Sequence, residues 1–113
     1  MADVTLTVER CTFVGLAASY TGSLSTENTY HVRNTGRMFL HFKKAGAGDC
    51  VVTSKSEKTV SGLAVADPTV TVPATTGDKL IGPFPPGVFN DGEGDMSFTL
   101  SEVTGLTVAA VEL

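Results

Sequence analysis

Cys11 and Cys50 are the only cysteines of the chain, and His31 and His41 are its only histidines. Two thiolates and two imidazoles form a donor set that zinc accepts, but familiar finger sites carry close ligand pairs. No two of these four residues form such a pair, and there is no CxxC. The expectation is two buried free thiols, with a disulfide as the second reading. His41 falls on the polar-facing side of an alternating segment, which points to a solvated or cross-strand role. Serines are plentiful, but no GxSxG elbow presents one as a nucleophile, and no phosphate-cradling glycine loop or dinucleotide fingerprint occurs. The sequence therefore predicts no enzyme, with no catalytic residue, no cofactor and no metal.

Two further segments have unusual composition. Asp91-Gly92-Glu93-Gly94-Asp95 alternates acids with glycines. That is enough oxygen for a weak cation contact, but it lacks the ligand number and terminal Glu of an EF-hand loop. It reads first as a solvated turn. Gly82-Pro83-Phe84-Pro85-Pro86-Gly87-Val88-Phe89 cannot be an interior strand, because proline has no amide hydrogen for the ladder. It predicts extended polyproline-like backbone or a tight turn. Its aromatics either seal one end of the fold or offer a rigid apolar surface to a partner, and the two roles are compatible.

The elements that must position these residues are strands. Sixteen Thr and fourteen Val make up 30 of 113 residues, and Gln is absent. Branching at Cβ costs rotamer freedom in a helix and packs well on a pleated surface. Period-2 alternation runs through Val4-Leu6-Val8, Met38-Leu40-Phe42, Val70-Val72, Met96-Phe98-Leu100 and Leu106-Val108-Ala110. Cys50 to Thr53 reads as a strand returning from Met38–Lys43 in a hairpin, and Lys79-Leu80-Ile81 follows a tight turn at Thr76-Gly77-Asp78. The best helical candidate, Thr12 to Ser19, is short. Ser54 to Ala66 reads as an exposed connection with one short edge strand. Residues 1–113 thus form one domain, with an irregular arm within residues 1–35. The fold predicted is an all-β sandwich, jelly-roll or Ig-like, of about seven to eight short antiparallel strands. The apolar end, Leu106 to Leu113, should be a paired strand in this sheet or against a neighbouring subunit.

Charge excludes other classes. Twelve acids against eight bases give a net charge of -4, with no basic stripe for phosphates, so nucleic acid is not an expected partner. No apolar run is long enough for a membrane-spanning helix, and Met1-Ala2-Asp3-Val4 reads as a start without a signal peptide. A membrane is therefore not an expected partner, and synthesis in the cytoplasm is.

The order of several short segments carries a resemblance. Phe39-Leu40-His41-Phe42-Lys43-Lys44 is followed by Gly62-Leu63-Ala64-Val65-Ala66-Asp67 and Thr69-Val70-Thr71-Val72-Pro73-Ala74. After these come Leu80-Ile81-Gly82-Pro83-Phe84-Pro85-Pro86 and Phe89-Asn90-Asp91. From about Gly36 to Leu113 this succession resembles small proteins of tailed bacteriophages encoded near the major capsid protein. Phe42 and Lys44 stand where that family usually has Val and Asn, Pro68 where Arg is common, and Phe89 where Tyr is. The resemblance implies a virion structural protein. Its first expected role is a capsid decoration (cement) protein on the outer surface of the head, made in the host cytoplasm and located in the virion. The implied partners are the major capsid protein and further copies of the chain, with a homotrimer preferred on grounds of capsid symmetry. The alternatives are a head-tail connector, tail or fibre-base component, and a carbohydrate-binding or adhesion module, against which the absence of Trp counts. No catalytic residue comes with the family. The candidate interaction surface is Pro83, Phe84, Pro85, Pro86 and Phe89 in the proline-rich segment, with Leu106, Val108, Val111 and Leu113 at the C-terminal end.

Overall fold

The computed structural model describes residues 3–113 (for Ala64, the backbone only), so Met1 and Ala2 lie outside the described residues. Eleven strands and one helical turn follow in order: β1 (Asp3–Leu6), β2 (Val8–Arg10), β3 (Thr29–Arg33), β4 (Met38–Lys44), β5 (Cys50–Ser54), β6 (Thr59–Val60), β7 (Leu63–Ala64), β8 (Thr69–Val72), β9 (Gly77–Ile81), α1 (Pro86–Phe89), β10 (Asp95–Leu100) and β11 (Leu106–Glu112). One sheet has the order β1-β3-β10-β5-β8, a second the order β2-β11-β4-β9, and β6-β7 stand apart as a small hairpin. The all-β prediction holds. The strand count and orientation do not: there are more than seven or eight strands, and two pairs are parallel, β1 with β3 and β2 with β11.

The alternating residues explain why the two sheets share one core. Tyr30 and Val32 of β3, Met96 and Phe98 of β10 and Val52 of β5 face Met38, Leu40 and Phe42 of β4 and Leu106 and Val108 of β11 in one buried cluster. Phe42 and Phe98 meet edge to face across it, with centroids 5.7 Å apart, and Tyr30 stacks on Phe98 at 5.5 Å. Side chains of this size supply most of the stabilisation, about 1.5–3 kcal/mol for each large apolar residue removed from water. Tyr30 keeps its hydroxyl satisfied, accepting from the Ser25 amide at 2.8 Å.

The Val4-Leu6-Val8 alternation is one continuous strand in the sequence and two in the structure. The chain leaves the first sheet after Leu6 and enters the second at Val8, and all three side chains still pack on the core. This crossing closes one lateral side of the molecule. The other is closed by β8 and β9, which also lie in different sheets and are joined through Pro73–Thr76. The expected hairpin of Met38–Lys43 with Cys50–Thr53 is corrected in the same way. β4 pairs with β11 and β9, whereas β5 pairs with β10 and β8. A turn signal gives a reversal of direction, and here the reversal passes between sheets.

Two such crossings pack against each other. Ala45 N donates to Gly105 O at 3.0 Å. A Cβ on Gly46 would lie 2.4 Å from Thr104 O, and one on Gly105, whose φ is +65°, 2.5 Å from Gly46 N. Only glycine lets these backbones approach so closely. Lys44, on the inward face of β4, is buried there and donates its ammonium to Ala47 O at 3.2 Å and to Thr104 O. Thr12 to Ser19 is not helical: Gly15 N closes a turn on Thr12 O at 3.0 Å, with Gly15 at φ +95°.

Candidate functional site

The proline-rich segment folds into a corner that closes one end of the core. Pro86 stands at the start of the short helix, where its missing amide costs nothing. Phe84 is buried and meets Phe89 edge to face at 5.4 Å. The corner is tied down by two asparagines. Asn34 Nδ2 donates to Phe84 O at 3.0 Å and to Asn90 Oδ1 at 2.7 Å, while Asn34 Oδ1 accepts from Gly36 N at 3.0 Å. Asn90 Nδ2 in turn donates to Asn34 O at 3.0 Å. Of the five residues named here as a partner surface, Pro83, Pro85 and Pro86 are exposed, Phe89 is half-buried and Phe84 belongs to the interior.

The C-terminal residues are corrected more strongly. Leu106 and Val108 face the core, and Val111 is also buried. β11 pairs along its whole length with β4, and on its other side with β2 and, through mutual backbone bonds of 2.7 and 3.1 Å, with Thr21. A strand flanked on both sides within its own chain has no free backbone edge for a neighbour. Leu113 alone of these four is exposed, where Arg37 binds its carbonyl through Nε at 2.9 Å and through Nη2.

The large apolar side chains that do reach the surface lie elsewhere. Phe13 and Val14 stand fully or almost fully exposed on the Thr12–Gly15 turn. Val60, Leu63 and Val65 are exposed on and beside the β6-β7 hairpin, and Leu80 on β9. Among the described residues, β9 is a sheet edge with one side unpaired. These residues form the candidate interaction surface of the folded protein: two projections and one strand edge. Exposed Phe and Leu on short projections are the side chains a packed body would otherwise bury.

The residues examined for chemistry are dispersed. Cys50 is buried, as expected, but Cys11 is exposed, because the chain leaves β2 at this point and turns outward; both are free thiols. His41 lies on the outer face of β4, with Nδ1 2.7 Å from Tyr20 Oη and Nε2 hydrogen-bonded to Asp78. Lys43 sits 5.0 Å from the Tyr20 ring centre. The bond from His41 holds the Asp78 carboxyl below the usual range, helped by the charges of His41 and Lys43. Both imidazole nitrogens are occupied, so the cluster's work is mechanical: it pins the irregular segment after β2 onto the second sheet. Asp91 uses its carboxylate within its own loop, accepting from Glu93 N at 2.8 Å and Asp95 N at 3.2 Å, and these bonds depress its pKa. Among the described residues no three His, Cys, Asp or Glu side chains gather as a metal set.

Sequence reasoning missed β3, which is central to the first sheet. Its signal was Tyr30 and Val32 alternating with Thr29, His31 and Arg33, hidden by the polar partners. It also missed the Asn34–Asn90 clamp, for which spacing carries no signal. In comparisons with protein-family models, curated proteins and solved structures, the chain matches none.

Proposed function

We propose that the chain is a structural protein of a tailed-bacteriophage virion, a capsid decoration (cement) protein. In this reading it binds the outer surface of the assembled head and stabilises it. Its two sheets act as a β-sandwich scaffold, and its partners are the major capsid protein and other copies of itself, as a homotrimer. The observation that carries the reading is the placement of the exposed large apolar side chains. Phe13 and Val14, the Val60–Val65 hairpin and Leu80 stand on separate projections and an edge of one packed body. A protein that stiffens a shell needs a rigid core and contacts reaching more than one neighbour. The resemblance of its segment order to that of tailed-phage proteins supports the same role.

Cementing is binding linkage: whatever binds the assembled shell and not its parts stabilises the shell by mass action. A stable contact takes roughly 800 Å² from each partner, a modest share of the 6292 Å² surface here. The test is co-sedimentation of purified protein with decoration-free mature heads. Saturable binding over the head surface, with raised resistance of the heads to heat, is expected. No binding overturns the reading, and binding at a single vertex replaces it with the connector or tail assignment.

A further inference from the structure

A groove of about 380 Å³ runs beside the crossing from β1 to β2. It is lined by Val4 to Thr7 in succession and by Glu9, Ser19 and Thr21. Successive side chains of a strand point to opposite faces, so a groove that touches all four lies along the strand's edge. β1 ends the first sheet, and that edge is unpaired among the described residues. Leu6 is buried and Val4 half-buried, whereas Thr5 and Thr7 are exposed. The groove is therefore apolar at its base and polar at its lip.

The Phe13 turn rises from the rim of the same groove. Ser19 N donates to Glu9 Oε1 at 2.7 Å, which pins together the two ends of the loop between them. That loop carries Phe13 and Val14, 102% and 80% exposed. A ring so exposed rests on nothing in its own chain, so the turn does not fold back into the groove beside it. Charge is divided in the same way. Arg10 stands exposed at the base of the loop, and Glu9 lines the groove. Neither makes an ion pair among the described residues. Consecutive on β2, the two point to opposite faces and do not pair with each other.

We infer that the Phe13–Val14 turn of one copy seats in the groove beside β1 of the next, with Arg10 of the first copy meeting Glu9 of the second. The inference deepens the proposed virion role, on which its homotrimer rests. The occupant is a second copy because one chain carries both parts of the contact: an apolar projection and an apolar-based groove, with opposite charges beside them. Turn and groove lie side by side, so one rotation axis through this region lets every copy give a turn and receive one. Donor and acceptor surfaces that differ make a head-to-tail contact, which forms a ring when the rotation closes. Seating the turn removes from water the side chains that the single chain leaves most exposed.

The test is the mass of the full chain in solution, by sedimentation equilibrium over a range of concentrations. A trimer is expected. Phe13→Ser should weaken its assembly by about tenfold or more, as when an interface loses its buried aromatic anchor. Thr7→Trp, which crowds the groove from the other side of the contact, should do the same. Both positions are exposed, and unchanged amide dispersion checks that each variant is folded. A mixture of the two should form dimers that neither forms alone, because one keeps its groove and the other its turn. Arg10→Gln should weaken assembly several-fold and reduce its salt dependence. Leu63→Ser, on the β6-β7 hairpin, should assemble as the unaltered chain does. A chain that stays monomeric at every concentration overturns the inference, as does a trimer that Phe13→Ser leaves intact. Phe13→Ser with unchanged mass but lost binding to heads gives the turn to the capsid and overturns it as well. Head binding is measured separately: a trimer of this kind that ignores heads upholds the contact and overturns the virion role, and a monomer that binds them does the reverse.

Discussion

β11 and the β6-β7 hairpin are built from similar residues and meet opposite fates. Leu106-Thr107-Val108-Ala109-Ala110-Val111 and Val60-Ser61-Gly62-Leu63-Ala64-Val65 are both short, apolar and interrupted by small side chains. The first lies in the middle of a sheet and is buried nearly throughout. The second pairs only with itself and leaves Val60, Leu63 and Val65 in water. Hydropathy does not separate them; available partners do. β11 has β4 on one side and β2 with Thr21 on the other, whereas the hairpin leaves the first sheet between β5 and β8 and leaves Val60, Leu63 and Val65 uncovered among the described residues. The difference assigns stability to one segment and, in the proposed reading, contact with other subunits to the other.

The comparison breaks first if the chain survives without β11. Ending it at Gly105 should abolish folding, because β2 and β4 both lose their shared partner and the core loses Leu106 and Val108. Loss of the far-ultraviolet strand signal and of dispersed amide resonances is expected, and a folded but unassembled product would return β11 to the role of an exchange strand. Phe42→Ala, beside β11 on β4, should cost about 3–5 kcal/mol, read as a fall in the denaturant midpoint, since a fully buried ring leaves a cavity. Asn34→Ala should cost about 1–3 kcal/mol and loosen the proline corner, because the carbonyl of Phe84 and the side chain of Asn90 lose a buried partner. Faster amide exchange localised at residues 84–90 would check the site of the change.

At the other pole, Leu63→Ser should move stability by no more than about 0.5 kcal/mol while weakening co-sedimentation with heads. A large fall in stability would show that the hairpin is part of the core after all. The smallest effect expected is acid sensitivity from Asp78. Its folded-state pKa lies below the ordinary 3.8, so its contribution is complete above that value and is lost as pH falls through the lowered one. Asp78→Asn should flatten the acid limb of an unfolding curve and free the Tyr20 segment, seen as faster amide exchange at residues 19–21.

Much of the strand content was legible because alternation is a local property. Met38–Lys44, Cys50–Ser54, Thr69–Val72, Asp95–Leu100 and Leu106–Glu112 each carry it. The proline corner was legible in its sealing role, since Phe84 and Phe89 are the large apolar residues of a segment that cannot be a strand. What failed was assignment between sheets. Ala45–Asp49 reads as a hairpin loop, and its glycines instead carry the chain across the core between two sheets. The candidate surface failed for the same reason at Phe84, Leu106, Val108 and Val111: an apolar residue has the same side chain whether its neighbours come from its own chain or another.

The sequence by itself determined the all-β class, the inward faces of most strands and the exclusion of the familiar catalytic and metal motifs. Those follow from Cβ branching, period 2 and ligand spacing, which act over a few residues. Tertiary structure alone decided that β1 and β2 part company at Thr7, that two strand pairs run parallel, and that Asn34 and Asn90 clamp the proline corner. Strand pairing and the asparagine clamp join residues dozens of positions apart. Such contacts form only where the shared core, closed by Phe42 against Phe98, has already brought the sheets together.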